Sequence, residues 1–285
     1  MHVVLLIEKC ITAGDSLQPV ISTTREGALA SVHSRNMRTS VAMGTKEMWL
    51  AYVAFLEREV PASFANLAPG ASEADIASLE QTLGLTLPEP VKAVWRLNDG
   101  QKKTMLADGE DAATPCIPTL SFLSTKAVAR IWKDWAEVRK SSGAELDAGT
   151  RSAVPGVVKA LYSSPGWIPL WAHPSSADYV GLDLDPGEKG QPGQIINFGR
   201  DEDEHFQFAT DFDDLLSFLL EEVRAGRWEA DVFEPDDEDE DEVEWFGDPD
   251  ESFFNTLHGR WKKRNPPPPR KKTETAAATP RGERR

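Results

Sequence analysis

The apolar positions of the chain follow one period in its first half and another in its second half. Over residues 45–139 they recur mostly every three or four positions, which is typical of the buried face of a helix. Helices are therefore predicted to begin at the start of this segment and near Ser72, Pro88 and Ser124. Over residues 167–208 the period is two, which is typical of strands with one buried face. This order predicts an α+β domain, with N-terminal helices followed by a sheet.

Capping residues support the helix predictions. Ser72 and Asp75 have the three-residue spacing of a capping box, and Gly84 is suited to a left-handed C-cap. A last helix is predicted from Phe212, where several aspartates lie at the N-terminus and complement the helix dipole. We expect this helix to close the domain.

Five short apolar runs predict strands. Pro118 lies in the first run and places it at a sheet edge or bulge, because proline cannot donate to a ladder. Consecutive strands joined by short turns pair in antiparallel fashion, so we expect a meander. The runs cover residues 116–123, 167–173, 179–185, 194–198 and 206–208.

Composition divides the chain into three parts. Residues 1–44 show no sustained period and are predicted to be a weakly ordered extension, and residues 45–228 are predicted to form a single domain. Residues 229–285 are predicted to be a disordered tail, because so polar a segment buries too little apolar surface to offset the entropy of ordering. Within that tail, residues 229–251 carry fourteen acidic and no basic side chains, whereas residues 260–285 carry ten basic and two acidic ones.

Charge and composition exclude several classes of protein. The net charge is −16, and residues 1–228 alone carry 21 basic against 31 acidic side chains, so we expect no nucleic-acid partner for the domain. No apolar segment approaches the roughly 20 residues that span a bilayer, which predicts no transmembrane segment. Cys10 and Cys116 are too few and too far apart for a zinc site or a disulfide framework. These features predict a cytoplasmic protein.

One cluster of imidazoles and carboxylates is the candidate for catalysis. His173, Asp178, Asp183, Asp185 and His205 fall near predicted strand ends, where such groups can bind a divalent metal or act as acid and base. Asp183 and Asp185 also alternate on the face of a strand that we expect to be solvated, and surface carboxylates are the favoured interpretation. We therefore predict no catalytic residue, no metal site and no cofactor, and keep a metal-dependent hydrolase as an alternative.

Two tryptophans are candidates for binding a partner. Trp167 and Trp171 share a face with His173 on their predicted strand, and if that face is open to solvent they could anchor a partner or stack on a sugar. Packing in the core is the favoured alternative. Asp99 and Gln101 lie in the Asn-Asp-Gly-Gln stretch that ends a predicted helix, and they are also candidates for binding a partner. The rest of the candidate partner-binding set is His173, Asp178, Asp183, Asp185 and Arg200.

The tail contains two overlapping linear motifs. Lys263, Pro266, Pro269 and Lys271 have the spacing of polyproline ligands for aromatic grooves. The neighbouring basic clusters also fit a nuclear-localisation signal or a patch for anionic lipid. A plain solvated tail is the simplest alternative.

Six segments together resemble the SUKH superfamily, in particular its fungal branch of Smi/Knr-type cell-wall assembly regulators. They include a helix with aspartate, isoleucine and leucine-glutamate, then leucine-proline, then a helix ending in asparagine-aspartate-glycine. The resemblance covers roughly residues 45–228. The segments are 71–80, 84–101, 167–173, 179–187, 193–201 and 212–219.

The resemblance implies a single SUKH-like α+β domain and a non-enzymatic protein. The role it implies is an interaction hub that coordinates glucan and chitin synthesis with signalling, at sites of polarised growth in the cytoplasm. The partners it implies are cell-wall-integrity kinases or wall-synthesis factors. Bacterial relatives imply an alternative, an immunity-type protein that neutralises a toxin.

Overall fold

The computed structural model describes residues 43–104, 114–173, 177–233 and 243–266. The described residues contain seven α-helices and confirm the predicted α+β class. The helices are α1 (Thr45–Glu59), α2 (Pro61–Asn66), α3 (Glu73–Leu83), α4 (Glu89–Trp95), α5 (Thr125–Leu146), α6 (Phe212–Arg224) and α7 (Phe253–Arg264).

The predicted caps form as expected. The hydroxyl of Ser72 accepts from the main-chain N–H of Asp75, whose carboxylate accepts in return, and Gly84 ends α3 with a φ of 66°. The Ser124 side chain caps α5 by accepting from Ala127. Helix α5 continues past the predicted end at residue 139, and α2 was missed because its apolar pattern is short.

The sheet is the predicted antiparallel meander. Its main part has five strands in the order β1–β3–β4–β5–β7, which leaves β1 at an edge, as Pro118 predicts. Only Ser121–Phe122 of the predicted first strand forms, because a tight turn bridges Ile117 to Leu120 just before it. The strands are β1 (Ser121–Phe122), β2 (Arg151–Ser152), β3 (Trp167–Ala172), β4 (Asp178–Asp183), β5 (Gln194–Gly199), β6 (Glu204–His205), β7 (Gln207–Ala209), β8 (Glu229–Phe233) and β9 (Val243–Gly247).

Helices cover both faces of this sheet. On one face Trp171 stacks on Phe212 of α6, with the ring centroids 5.8 Å apart, and Phe122 joins it to Trp49 of α1. On the other face Tyr179 meets Trp135 of α5 edge to face. Burial on both faces explains why the central strands lack an exposed side.

A bulge in β3 overturns the prediction that Trp167 and Trp171 share a face. Trp167 lies opposite Asp183 of β4, whereas Trp171 lies opposite Val180, and the register shifts between them. Directly opposed residues share a face and neighbours alternate, so the two tryptophans lie on opposite faces. The extra residue of the bulge rotates the second half of the strand, which a strict period of two cannot represent.

The prediction of disorder from residue 229 onward is wrong for residues 229–233 and 243–266. Strands β8 and β9 pair in antiparallel fashion, and α7 packs its Phe253 and Leu257 into the interior. Composition does not predict these elements, because the few apolar side chains are averaged with the many surrounding carboxylates. Residues 1–42 and 267–285 lie outside the described residues, and with them the predictions made for Cys10, Pro269 and Lys271.

Within the described part of the chain, no helix combines the length and the apolar character that crossing a bilayer requires.

Candidate functional site

The structure separates the predicted site residues into three places. Asp99 and Gln101 lie where α4 meets β1 and α5. Trp167, Asp183 and Asp185 lie at one end of the sheet, and His173, Asp178 and Arg200 lie at its opposite end. Trp171 lies within β3 between these ends.

Residues 98–101, which we call the 98–101 junction, join helices to the sheet. The Asn98 amide accepts from the indole N–H of Trp49 at 2.9 Å and donates to the carbonyl of Ala68 at 3.0 Å. Asp99 accepts from the N–H of Thr125 at 2.7 Å, at the start of α5. Residues 98–101, which were predicted to end a helix, therefore also fix the positions of α1 and α5.

Gln101 satisfies three main-chain groups inside the junction. Its carbonyl oxygen accepts from the N–H groups of Cys116 and Phe122, each at 2.9 Å, and its amide donates to the carbonyl of Thr114 at 2.8 Å. The side chain is 6% exposed, so its contacts are internal to the fold. These contacts, together with those of Asp99, are structural, and they do not present the pair to a partner.

Asp183 occupies a buried position, contrary to the prediction of a solvated face. Its carboxylate accepts from the Gln194 amide at 2.8 Å and from the Asp185 N–H at 2.9 Å. Burial raises the pKa of Asp183 to about 6, against the opposing effect of these hydrogen bonds. Because β4 carries helices over both faces, alternation in this strand does not separate buried from solvated positions.

The candidate metal cluster does not assemble. His205 directs its two ring nitrogens at the carbonyl oxygens of Leu161 and Asn197, and Asp185 pairs with Lys159. Across the described residues, no three His, Cys, Asp or Glu side chains lie close enough together to hold a metal ion. Trp167 packs against the ring of His205 at 4.8 Å and is 2% exposed, so it is a core residue that a partner cannot contact. Trp171 is completely buried and is excluded in the same way.

The opposite end of the sheet carries exposed charge, and we call it the sheet-end surface. It consists of His173, Asp178, Arg200 and Asp201, with Tyr162 beside them. Arg200 pairs with Asp201 at 2.9 Å, and the two side chains are 60% and 62% exposed. The N–H of Asp201 donates to Asp178 at 3.0 Å, and the hydroxyl of Tyr162 donates to the carbonyl of Arg200 at 3.2 Å. These bonds hold the charged turn in one conformation.

A polar network below the surface supports this turn. Asn197 is fully buried; its amide donates to Glu202 and to the carbonyl of Glu204, and it accepts from the N–H of Phe206. Burial raises the pKa of Glu202 to about 7, even though the Asn197 hydrogen bond acts in the other direction. Glu202 was not predicted, since nothing in its local sequence distinguishes it from the other acidic residues of the turn.

The ion pairs that hold α7 were also not predicted from the sequence. Arg260 and Arg264 donate to the carboxylate of Asp214, both at 2.6 Å, near the start of α6. Burial alone would raise the pKa of Asp214, but the hydrogen bonds from Arg264 and Thr210 and the charge of Arg260 hold it well below its ordinary range. The spacing of two arginines four apart was the available signal. Lys263 lies in this helix, so its polyproline motif with Pro266 is not extended at that position.

Fold and site together define an α+β domain whose buried polar residues join its elements and whose charged residues gather at one end of the sheet. The SMI1/KNR4 family (SUKH-1) model matches residues 70–217, from just before α3 into α6. That segment is more than half of the chain, so the chain belongs to this family.

Curated relatives are named as regulators of the cell wall. The cell wall biosynthesis/cell cycle regulator smi1 of Schizosaccharomyces pombe is 30% identical over 211 residues, which cover 70% of this chain and 40% of the relative. The cell wall assembly regulator SMI1 of Saccharomyces cerevisiae is 27% identical, over 58% of this chain and 37% of the relative. The glucan synthesis regulatory protein of Neurospora crassa is 26% identical, over 64% and 39%. The chain thus spans about two fifths of the length of these relatives.

Proposed function

We propose that this chain regulates cell-wall assembly by binding other proteins through its folded surface, and that it catalyses no reaction of its own. The names of the fungal relatives support the cell-wall role. Wall-synthesis factors and the kinases that signal wall damage are the partners that this role requires.

The observation that supports this proposal is that the functional candidates at one end of the sheet are buried, whereas charged residues at the other end are exposed. The groups that hydrolysis would need, Asp183 and His205, are fully buried and bonded to Gln194 and to main-chain carbonyls. At the other end, Arg200 and Asp201 are mostly exposed and held in place by hydrogen bonds. A fixed, charged, exposed turn suits recognition of a charged partner, because complementary charge directs association and selects against wrong partners.

Replacing one exposed charge tests this proposal. We expect Arg200→Glu to weaken capture of fungal wall-synthesis proteins. In a fungal strain that lacks its own family member, this variant should also fail to restore growth in the presence of a dye that binds the cell wall. Stability should change by no more than about 0.5 kcal/mol, because the side chain is exposed. Lys140→Glu is the matched control, since Lys140 is 79% exposed on α5 and lies outside the sheet-end surface. Equal protein capture and equal growth with the two variants would contradict the proposal.

The protein is also proposed to act in the cytoplasm, at sites of polarised growth. The basic clusters at residues 262–264 and 270–272 resemble nuclear-localisation signals, so entry into the nucleus is the alternative location. A fluorescent fusion of the full chain should lie in the cytoplasm, whereas accumulation in the nucleus would contradict this location. Removing residues 270–285 tests whether the second basic cluster contributes to nuclear entry.

A further inference from the structure

Helix α7 lies in a surface groove between β7 and α6. The groove, which we call the α7 groove, is formed by Phe206, Phe208, Asp214, Phe218 and Trp228. Each of these residues contacts α7 through an aromatic ring or an ion pair. The groove therefore combines an aromatic floor, formed by these four rings, with the carboxylate of Asp214.

The apolar side of α7 fills the aromatic floor. Phe253 and Leu257 are 2% and 0% exposed. His258 meets the ring of Phe206 edge to face at 4.4 Å, and Phe254 meets both Phe208 and His173. Without α7 the floor would be a contiguous exposed aromatic patch, and such patches on soluble domains mark sites of interaction.

The basic side of α7 is recognised by the carboxylate. Arg260 donates to Asp214 at 2.6 Å and to the carbonyl of Phe208 at 3.0 Å, and its guanidinium lies 4.6 Å from the ring centre of Phe218. Arg264 donates to both oxygens of Asp214, at 2.6 and 2.8 Å. The groove thus selects two arginines one helical turn apart, in addition to apolar side chains.

Two features make α7 a weakly held occupant. Gly259 lies in the middle of the helix, where glycine disfavours the helical state, and a Cβ built there meets no atom within 4 Å. A helix of twelve residues is also marginal without its docking contacts. In addition, Phe206, Phe208 and Asp214 lie inside the family-matched segment 70–217, whereas α7 lies beyond it.

We propose that the α7 groove is a docking site for a basic amphipathic helix of a partner protein, and that α7 is its internal competitor. The partner helix carries two apolar residues four apart, then arginines seven and eleven positions after the first, which is the pattern of Phe253, Leu257, Arg260 and Arg264. Charge complementarity with Asp214 supports this occupant, since residues 253–264 carry four lysine or arginine side chains and no acidic ones. The inference deepens the proposed function, because it names a partner surface and the chemistry of the partner.

A labelled peptide of residues 251–266 serves as the probe helix, and its binding to the full chain is measured by fluorescence anisotropy. Leu257→Asp in the full chain releases α7, so this variant should bind the peptide about tenfold or more tightly than the unaltered chain does. Gly259→Ala should act in the opposite direction, weakening peptide binding about fivefold by stabilising the internal helix. Lys263→Ala should change nothing, because this exposed residue lies on α7 without contacting the groove.

A second pair of variants tests the charged contact. Asp214→Asn, added to the released chain, should reduce peptide binding about tenfold, since the two arginines lose their carboxylate. Asparagine keeps an acceptor oxygen for the N–H of Thr210, so α6 retains that contact. Should Leu257→Asp unfold the chain, the double variant Arg260→Ala/Arg264→Ala releases α7 without placing a charge in the core.

Three results would overturn the inference. One is equal peptide binding by the unaltered and released chains, and another is binding that ignores Asp214→Asn. The third is a concentration-dependent dimer in light scattering, which would identify a second copy of the chain as the occupant. Each of these outcomes leaves the proposed cell-wall function standing, because that proposal is tested separately at Arg200.

Discussion

The 98–101 junction and the α7 groove both depend on partly or fully buried polar groups, but these groups serve different purposes. In the junction, the buried Gln101 side chain accepts from the main-chain N–H groups of Cys116 and Phe122 and donates to the carbonyl of Thr114. In the groove, Asp214 binds two arginine side chains, of which Arg264 is 44% exposed and Arg260 is 12% exposed. Loss of the first leaves orphaned groups in the core, whereas loss of the second frees one helix. The junction therefore holds the fold together, and the groove holds a replaceable part.

The largest expected effect breaks the junction at Gly100. Its φ of 71° disfavours any side chain, and a Cβ there would lie 2.4 Å from the main-chain nitrogen of Ser124. Gly100→Ala should destabilise the chain by about 3 kcal/mol or more, because main chain must move to accommodate it. Urea unfolding measures this.

Gly84→Ala is the matched control for that variant. Gly84 has a similar φ of 66°, but nothing lies within 4 Å of the position that a Cβ would take there. Only the conformational cost of about 1–2 kcal/mol applies at this residue. Equal losses in the two variants would show that the crowding at Gly100 is unimportant.

A smaller effect is expected at Gln101. Gln101→Ala should cost about 2–3 kcal/mol, since it removes the acceptor of two main-chain N–H groups in the core, whereas the carbonyl of Thr114 keeps the Asn66 amide as a donor. The measurement is again urea unfolding, with exposed Gln81→Ala on α3 as the control. A loss as small as that of the control would mean that other groups or water satisfy the junction.

The sequence predicted those elements whose signals are local. The Ser72–Asp75 capping box and the meander order depend on neighbours along the chain, and both form as predicted. The bulge after Pro169 depends on pairing with β4, so the alternation of Trp167 and Trp171 gave the wrong faces.

The roles of Gln101 and Asp214 could not be predicted, because their partners are distant in sequence. Gln101 bonds to residues 13 to 21 positions away, and Asp214 to residues 46 and 50 positions away. The four-residue spacing of Arg260 and Arg264 places both on one side of a helix, but a single sequence does not identify the distant residue that binds them. Family resemblance identified the stretch containing Gln101, but its structural purpose appears only in three dimensions.

In the α7 groove, Arg260→Ala should moderately destabilise the docking of α7 without destabilising the rest of the domain. It removes the contacts to Asp214, Phe208 and Phe218, which we expect to favour opening of α7 by about 1–2 kcal/mol. Trypsin cleavage after Lys263, quantified by mass spectrometry, should accelerate about tenfold if opening precedes cleavage. Lys262→Ala is the control, and similar rates for the two variants would contradict a specific role for Arg260.

The smallest effect is a difference in pH dependence. Burial raises the pKa of Asp183 to about 6, so the folded protein binds the proton on this carboxyl more tightly than the unfolded chain does. Stability of the core should therefore rise by about 1 kcal/mol as the pH falls from 7 to 5. Glu202, with its pKa raised to about 7, acts in the same direction. Asp183→Asn should reduce this rise, and an unchanged pH profile in that variant would contradict the assignment.

The pKa of Asp214 is lowered, which reverses the sign for α7. A carboxylate with a depressed pKa stabilises the folded state above its unfolded pKa of about 3.9, and this contribution is lost as the pH falls further. Helix α7 should therefore remain docked at pH 5, where the core is more stable, and open below about pH 4. Tryptic cleavage is unsuitable there, so hydrogen exchange of α7 read out by mass spectrometry provides the measurement. Release of α7 already between pH 7 and 5 would contradict this.

Hydrogen exchange of the unaltered full chain at pH 7 shows whether α7 opens independently of the sheet. We expect amides of α7 to exchange through a local opening, well before those of β3, β4 and β5, because docking alone holds the helix. The contradicting result is exchange of α7 and the sheet together in one cooperative step, which would make α7 an inseparable part of the core.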